Sequence, residues 1–308
     1  WGVGPRQKPN RYVAVTTLRQ NGRTIDIYET PFGVRTLKFD PDAGFFLNSE
    51  HIKLNGVCIH HDLGALGAAV NYRALQRQLE MLAGMGANAI RTSHNPPAPE
   101  LLDLADKMGF LVMDEAFDVW LQKKTALDYH LLFTDWHEQD LRAMLRRDRN
   151  HPSVIMWSIG NEVVEQGGGE RGAAIARALS DICHEEDPTR PTIAGMNSAN
   201  SQSPFSMAID AIGLNYQGTS VYGRPAQYPV FHKNLPDKFI VGTETAATLS
   251  SRGVYTFPVA SGFGTAATAG TGQDPENRQV SSYDLYHAAW AYSPDKEFAT
   301  QDKYSFVG

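Results

Sequence analysis

Two carboxylic acids close apolar runs in this chain. Glu162 ends Ile155-Met-Trp-Ser-Ile-Gly-Asn-Glu162, and Glu244 ends Ile240-Val-Gly-Thr-Glu244. A pair of carboxyls at facing strand ends suits cleavage of a glycosidic bond. One protonates the leaving oxygen and the other handles the oxocarbenium-like carbon; a retaining reaction sets them about 5–5.5 Å apart. Glu162 is the expected general acid/base and Glu244 the expected nucleophile. The acid needs a raised pKa, and a nearby negative Glu244 supplies that by like-charge repulsion. Once Glu244 carries the sugar its charge is gone, and Glu162 can turn base. Asn161 stands beside the acid, available to a sugar hydroxyl. Arg91 and Tyr216 are candidates to hydrogen-bond Glu244 and keep it ionised. Gly242 leaves room for a close approach by backbone or substrate.

The surrounding elements must hold these groups. Apolar runs fall at Leu54–Ile59, Ala87–Arg91, Phe110–Met113, Val154–Ile159, Thr192–Met196, Ala208–Leu214 and Phe239–Val241. Between them, Leu75/Leu79/Leu82, Leu101/Ala105/Met108 and Ile175/Leu179/Ile182 recur at helical spacing, the one-sided stripe of a helix packed on a sheet. Gly86 and Gly109 sit where a left-handed residue ends a helix. Strands alternating with helices imply a parallel sheet. The first turn, His60-His-Asp-Leu-Gly-Ala-Leu-Gly67, lacks the glycine spacing of a dinucleotide-binding fold. A barrel carries its chemistry at the C-terminal ends of its strands. Six of the seven runs end in such groups: His60-His61-Asp62, Arg91 to Asn95, Asp114-Glu115, Asn161-Glu162, Asn215-Tyr216 and Glu244. A cap or turn accounts for any one of these more simply, but not for six together. The expected fold is therefore an α/β (β/α)8 barrel over residues 51–308. Tyr304-Ser-Phe-Val-Gly308 reads as the start of a truncated eighth strand, after a helix over Tyr283–Tyr292.

Residues 1–50 read differently. Arg11–Leu18 and Thr24–Glu29 alternate about an Asn21-Gly22 hairpin turn, and Gly33–Phe39 makes a third strand. These read as the last strands of an immunoglobulin-like β-sandwich, with a hairpin extension of the barrel as the alternative.

Composition narrows the function classes. With 308 residues, 42% of them hydrophobic, and a net charge of −6, the chain has no basic field for nucleic acid or an anionic membrane. No run of eighteen apolar residues marks a transmembrane helix, and the start is not a signal peptide. Cys58 and Cys183 lack metal or redox spacing and read as small buried apolar groups. They leave the compartment open between periplasmic, secreted and cytoplasmic.

At these motifs the chain resembles glycoside hydrolase family two, the β-galactosidase and β-glucuronidase family. Phe32-Gly-Val-Arg-Thr36 is similar to the family's junction between sandwich and barrel. Asn55-Gly-Val-Cys-Ile-His-His-Asp62, Asn88-Ala-Ile-Arg-Thr-Ser-His-Asn-Pro96 and Asp114-Glu115 resemble its first three strand ends. Asn150-His-Pro-Ser-Val-Ile-Met-Trp-Ser-Ile-Gly-Asn-Glu162 matches its acid/base signature. The resemblance implies an exo-acting retaining β-glycosidase with Glu162 as acid/base and Glu244 as nucleophile. It puts Asn161 on the 2-hydroxyl, His94 in the sugar subsite and Tyr216 behind the nucleophile. The loop His61–Gly67 resembles β-galactosidase-type members, with β-glucuronidase and β-mannosidase as alternatives. No cofactor is required; some members bind Mg²⁺ or Na⁺ near the acid/base residue. Ala247 departs from the histidine that the best-known β-galactosidases carry three residues after the nucleophile. The family also implies an amino-terminal sugar-binding domain, a tryptophan after strand eight, and self-association through domains outside this stretch, which reads as an interior fragment.

His60 and Asp62 are expected sugar contacts, since alternation sends His60 and His61 to opposite faces and disfavours a shared metal. Trp120 follows the third strand in a loop and is the expected sugar-stacking platform. Trp136 and Trp290 fall in helical patterns and read as core. His184-Glu-Glu-Asp187 reads as a solvated face, and Gly262–Gly272 as a mobile loop over the mouth or, equally, a disordered insertion. Two rivals remain: a non-catalytic carbohydrate-binding barrel, which would lack one of the two carboxyls, and a metal-dependent hydrolase, which would need several converging ligands.

Overall fold

The computed structural model describes residues 1–218, 225–255, 265–267, 279–282, 286–288 and 290–308. β1 (Tyr12–Gln20) and β2 (Arg23–Phe32) form an antiparallel hairpin. Both turn residues, Asn21 and Gly22, have positive φ (50° and 79°), which matches the right-handed twist of the strands. Apolar residues of the hairpin, among them Tyr12, Val13, Val15 and Ile27, are exposed.

The third strand does not extend this hairpin. β3 (Leu37–Asp40) pairs instead with β4 (Gly44–Leu47), which pairs with β5 (Glu50–His51). Aromatic packing draws it away: Phe39 lies 5.2 Å from Phe45 and 5.3 Å from Phe239, ring centre to ring centre. Phe45 and Leu47 are fully buried against Leu111, Met113, Ile155, Ile193 and Val241. This small sheet is thus an apolar stopper under one end of the main sheet.

The main sheet has seven parallel strands in sequence order: β6 (Gly56–His60), β7 (Ala89–Ser93), β8 (Leu111–Glu115), β9 (Val154–Asn161), β10 (Thr192–Met196), β11 (Ile212–Asn215) and β12 (Ile240–Glu244). Strands β7 to β11 are buried throughout, which explains why they read as unbroken apolar runs. Val307 pairs in parallel with Ile240, and Leu54 donates to the Gly308 carbonyl. Residues 307–308 therefore lie between β12 and the approach to β6, where an eighth strand belongs. The sheet is that of a (β/α)8 barrel.

Helices α1 (Tyr72–Gly84), α2 (Pro99–Met108), α3 (His130–Asp148), α4 (Gly169–Glu186), α5 (Pro204–Met207) and α6 (Tyr228–Asn234) follow the strands, and α7 (Pro294–Gln301) comes last. Asn71 caps α1 by accepting from the Ala74 amide, and Gly109 (φ 79°) ends α2 in the left-handed region. The 184–187 run is a solvated face only in part: Glu185 is exposed, but the two residues after it are drawn into contacts. Glu186 binds Arg142, Arg146 and Arg149, tying α4 to α3 and its end, and Asp187 is buried on the Trp157 indole and Arg190.

The expected helix over Tyr283–Tyr292 is also corrected. Tyr286–Ala288 is a strand, β15, paired with β13 (Thr248–Leu249) and β14 (Thr265–Ala267). The helix comes later, started by Pro294 at its first position. Of the stretch Gly262–Gly272, all but β14 lies outside the described residues.

The stopper carries a stability prediction. Phe45→Ala should cost about 3–5 kcal/mol, because the surrounding strands relax only partly into the void. Urea denaturation of the two chains measures it.

Candidate active site

Arg91, at the third position of β7, is buried inside the barrel. Its Nε donates to Glu115 Oε2 (2.9 Å), Nη2 to Asn161 Oδ1 (2.9 Å) and Nη1 to Glu244 Oε1 (2.7 Å). One planar fork so ties together the ends of β7, β8, β9 and β12. Burial works against its charge, but Glu115, Cys58 and Glu244 outweigh that and push the Arg91 pKa up. Burial would raise Glu115 as well, yet Arg91 and His94 prevail and hold it below its usual range. Ser158 and His94 donate to Glu115 at 2.6 and 2.7 Å. Cys58 is only half-buried, with its thiol on the Thr243 carbonyl (3.3 Å) beside Arg91, rather than in the apolar core.

Both oxygens of Glu244 are fixed: Arg91 donates to Oε1, and the Tyr216 hydroxyl donates to Oε2 at 2.6 Å. His94 Nε2 stands 3.6 Å from Oε1. Glu162 is held differently. Asn215 Nδ2 donates to its Oε1 at 3.0 Å, and its backbone N–H donates to the Gly195 carbonyl. Its pKa is raised, first by burial and then by the Glu244 charge, against the pull of Asn215 and Lys124. Burial, more than repulsion, is the leading cause. Glu162 (φ 43°) and Tyr216 (φ 56°) both adopt left-handed backbone, a strain that non-glycine residues hold where the surrounding structure fixes them.

Glu162, Glu244, His94, Asn161 and Tyr216 line one cavity of about 560 Å³, with Arg91 beneath it. His60 stands just outside, its ring edge-on to that of His94 at 5.2 Å. Two expected contacts are corrected. Asp62 lies in an exposed turn and accepts from the Gly64 amide two residues on, a local bond that turns it into its own loop. Trp120 is fully buried; its indole donates to the Ile159 carbonyl (2.8 Å) and its ring packs on Phe205 and Phe133. Trp290, read as core, is 46% exposed and lines the cavity, and Trp136 is 48% exposed. The close approach at Gly242 is made by the Tyr228 hydroxyl, not from the cavity side.

Other participants were not marked as site residues by the sequence, although Asn215 stands at a strand end. Ser158 is a polar residue mid-strand in an apolar run, which was its one available cue. Asn215 joins Asn161 and Glu162 and accepts from Thr243 Oγ1. Lys124 Nζ donates to Asp118 Oδ1 (2.7 Å) and to the Asn161 carbonyl (2.8 Å), while Asp118 also accepts from Asn161 Nδ2 (3.0 Å). The ammonium of Lys124 thus takes the place for a cation beside the acid/base residue. These residues do not fit a metal ion there, and the described residues hold no group of three or more His, Cys, Asp or Glu side chains that could bind one elsewhere.

Gly195 on β10 is a required close approach. A Cβ there would stand 2.8 Å from Arg91 Nη2, 3.0 Å from Asn215 Oδ1 and 3.1 Å from Asn161 Oδ1. Gly195→Ala should therefore destabilise the fold by about 1–3 kcal/mol through overpacking. Thermal denaturation reads the loss, and an unchanged midpoint would show that the network yields.

The model of the glycosyl hydrolases family 2 TIM barrel domain matches residues 41–292. A β-galactosidase of Bacteroides ovatus is 45% identical over 282 residues, 81% of this chain and 32% of the relative. A putative β-glucuronidase of Formosa agariphila is 36% identical over 250 residues, 81% of this chain and 22% of the relative. Among solved structures, a β-glycosidase from Bacteroides vulgatus superposes with a TM-score of 0.79 at 35% identity, over 97% of this chain and 39% of that one. The chain so spans about a third or less of the length of these two curated relatives. Fold, strand-end motifs and family model agree, and the chain belongs to glycosyl hydrolases family 2.

Proposed function

We propose that the protein containing this chain is a retaining exo-β-glycosidase that releases a terminal β-linked galactose. The observation that carries this is the unequal treatment of two carboxyls in one cavity. Glu244 has both oxygens fixed by donors, while Glu162 is held by a single amide and has a raised pKa. In the first step Glu244 attacks the anomeric carbon, and the leaving oxygen takes the proton of Glu162. In the second, Glu162 removes a proton from water, and that water displaces Glu244 from the sugar. Loss of the Glu244 charge lowers the pKa of Glu162 between the steps, which suits the change of role.

A neutral sugar suits this cavity. Arg91, the cation on Glu244, is already engaged by Glu115 and Glu244, Lys124 is engaged by Asp118 and the Asn161 carbonyl, and amides line the wall beyond. The β-galactosidase name of the Bacteroides ovatus relative points the same way. The resemblance to β-glucuronidases keeps a uronide as the second reading. In this reading Lys124 supplies the positive charge beside Glu162 that a metal ion would otherwise bring.

In the full-length enzyme, Glu244→Ala should lose about a thousandfold or more in hydrolysis of a nitrophenyl β-galactoside. Azide should rescue it as the glycosyl azide of inverted configuration. Unchanged hydrolysis would remove Glu244 from the mechanism, and a panel of nitrophenyl glycosides identifies the sugar. The acid must be protonated for the first step, so kcat/KM falls as pH rises through the pKa of Glu162. That limb should lie above the ordinary carboxylate range, since the pKa is raised. Lys124→Met removes a charge that lowers this pKa, so the basic limb should move to higher pH. The same change should cost about tenfold in kcat/KM, or ~1.4 kcal/mol, as Asn161 loses a tether. A downward shift, or activity that EDTA abolishes, would contradict the role given to Lys124.

A further inference from the structure

The mouth of the cavity carries a wall that the two-carboxylate chemistry does not use. Glu162 leans toward β10 and β11: its N–H binds the Gly195 carbonyl and its carboxyl the Asn215 amide. The leaving oxygen must lie at Glu162, so the leaving group extends past it. There the loops after β10 and β11 present Asn197, Gln217 and Gln227, with Trp290 on the same cavity.

This wall is fixed before any ligand arrives. Gln166, buried in the turn after Glu162, accepts from the Ser198 and Ala199 amides (both 3.1 Å) and donates to Asn197 Oδ1 (2.7 Å). With its oxygen so engaged, Asn197 keeps its Nδ2 donors for the cavity it lines. Gln217 donates to the Met196 carbonyl (2.6 Å) and Gln227 to the Pro225 carbonyl (2.7 Å), so each keeps its amide oxygen for an acceptor role. Fixed donors and acceptors without charge match hydroxyl groups, which both donate and accept. Trp290, beside the Tyr216 hydroxyl, adds an exposed aromatic face of the kind that covers the C–H face of a pyranose.

We propose that Asn197, Gln217, Gln227 and Trp290 form a leaving-group subsite for a neutral sugar, so that the substrate is a di- or oligosaccharide. This rests on the glycosidase reading above. The test compares a β-galactosyl disaccharide with β-galactosyl fluoride, whose leaving group is too small to reach the wall. It uses the full-length enzyme, with Asn197→Ala, Trp290→Ala and Trp290→Phe. The ratio of kcat/KM for the disaccharide to that for the fluoride should fall about tenfold in each alanine variant, and Trp290→Phe should recover most of it. A fall of the same size on both substrates, leaving the ratio at the wild-type value, would overturn the subsite. A wild-type enzyme inactive on the fluoride and on other glycosyl fluorides would instead overturn the glycosidase reading, and the subsite with it.

Discussion

A guanidinium buried at the centre of a barrel has to be surrounded by acceptors, and Arg91 recruits them from every side. Its five N–H groups lie in one plane, and the structure places Glu115, Asn161 and Glu244 around that plane from three other strands. Taking such an ion out of water costs several kcal/mol, and removing one partner of a buried pair leaves an uncompensated charge at a cost of about 3–5 kcal/mol. The positions of β8, β9 and β12 relative to β7 are therefore coupled to a single side chain. Gly195 lies against the same fork because no side chain fits between it and β10.

The opposite end of the sheet is built on the reverse logic. Phe45, Leu47 and Phe239 fill it with apolar surface that needs no partners. Packing without polar demands can vary in detail while volume is kept. The polar end has no such freedom, since each buried group there must find its own donor or acceptor. The barrel so separates a floor that supplies stability from a mouth where donors and acceptors are individually placed.

This difference decides what the sequence could reveal. Strand and helix runs were legible because burial leaves a period: 3.6 residues along α1 and unbroken apolar runs in β7 to β11. The strand-end groups Arg91, Glu162 and Glu244 were legible because charge at the end of an apolar run has few structural uses. Trp120 and Trp290 were misread because a tryptophan's role depends on which loop folds over which, and no local pattern records that. Asp62 was misread because a short acid in a glycine-containing turn serves its own backbone as readily as a ligand. Lys124 and Gln166 were invisible for a related reason. Their partners, Asn161 and the 197–199 loop, are over 30 residues away in the chain. The third strand of residues 33–39 had the alternation of a meander, but Phe39 found more apolar surface under the barrel than beside the hairpin.

Glu115, Glu244 and Glu162 share this end of the barrel, and the placement of positive charge sorts them. Glu115 is fully buried and enclosed by Arg91, His94 and Ser158, so its charge is a fixture of the network. Glu244 shares Arg91 but keeps 13% of its side chain open to the cavity, so a charged oxygen can meet a carbon. Glu162 has no arginine; burial raises its pKa, while the more distant ammonium of Lys124 limits the rise. A stronger cation at Glu162 would hold it ionised and remove the acid. A weaker one would leave it protonated when a base is needed. The network therefore gives its arginine to the group that must stay negative and its lysine, at one remove, to the group that must gain and lose a proton.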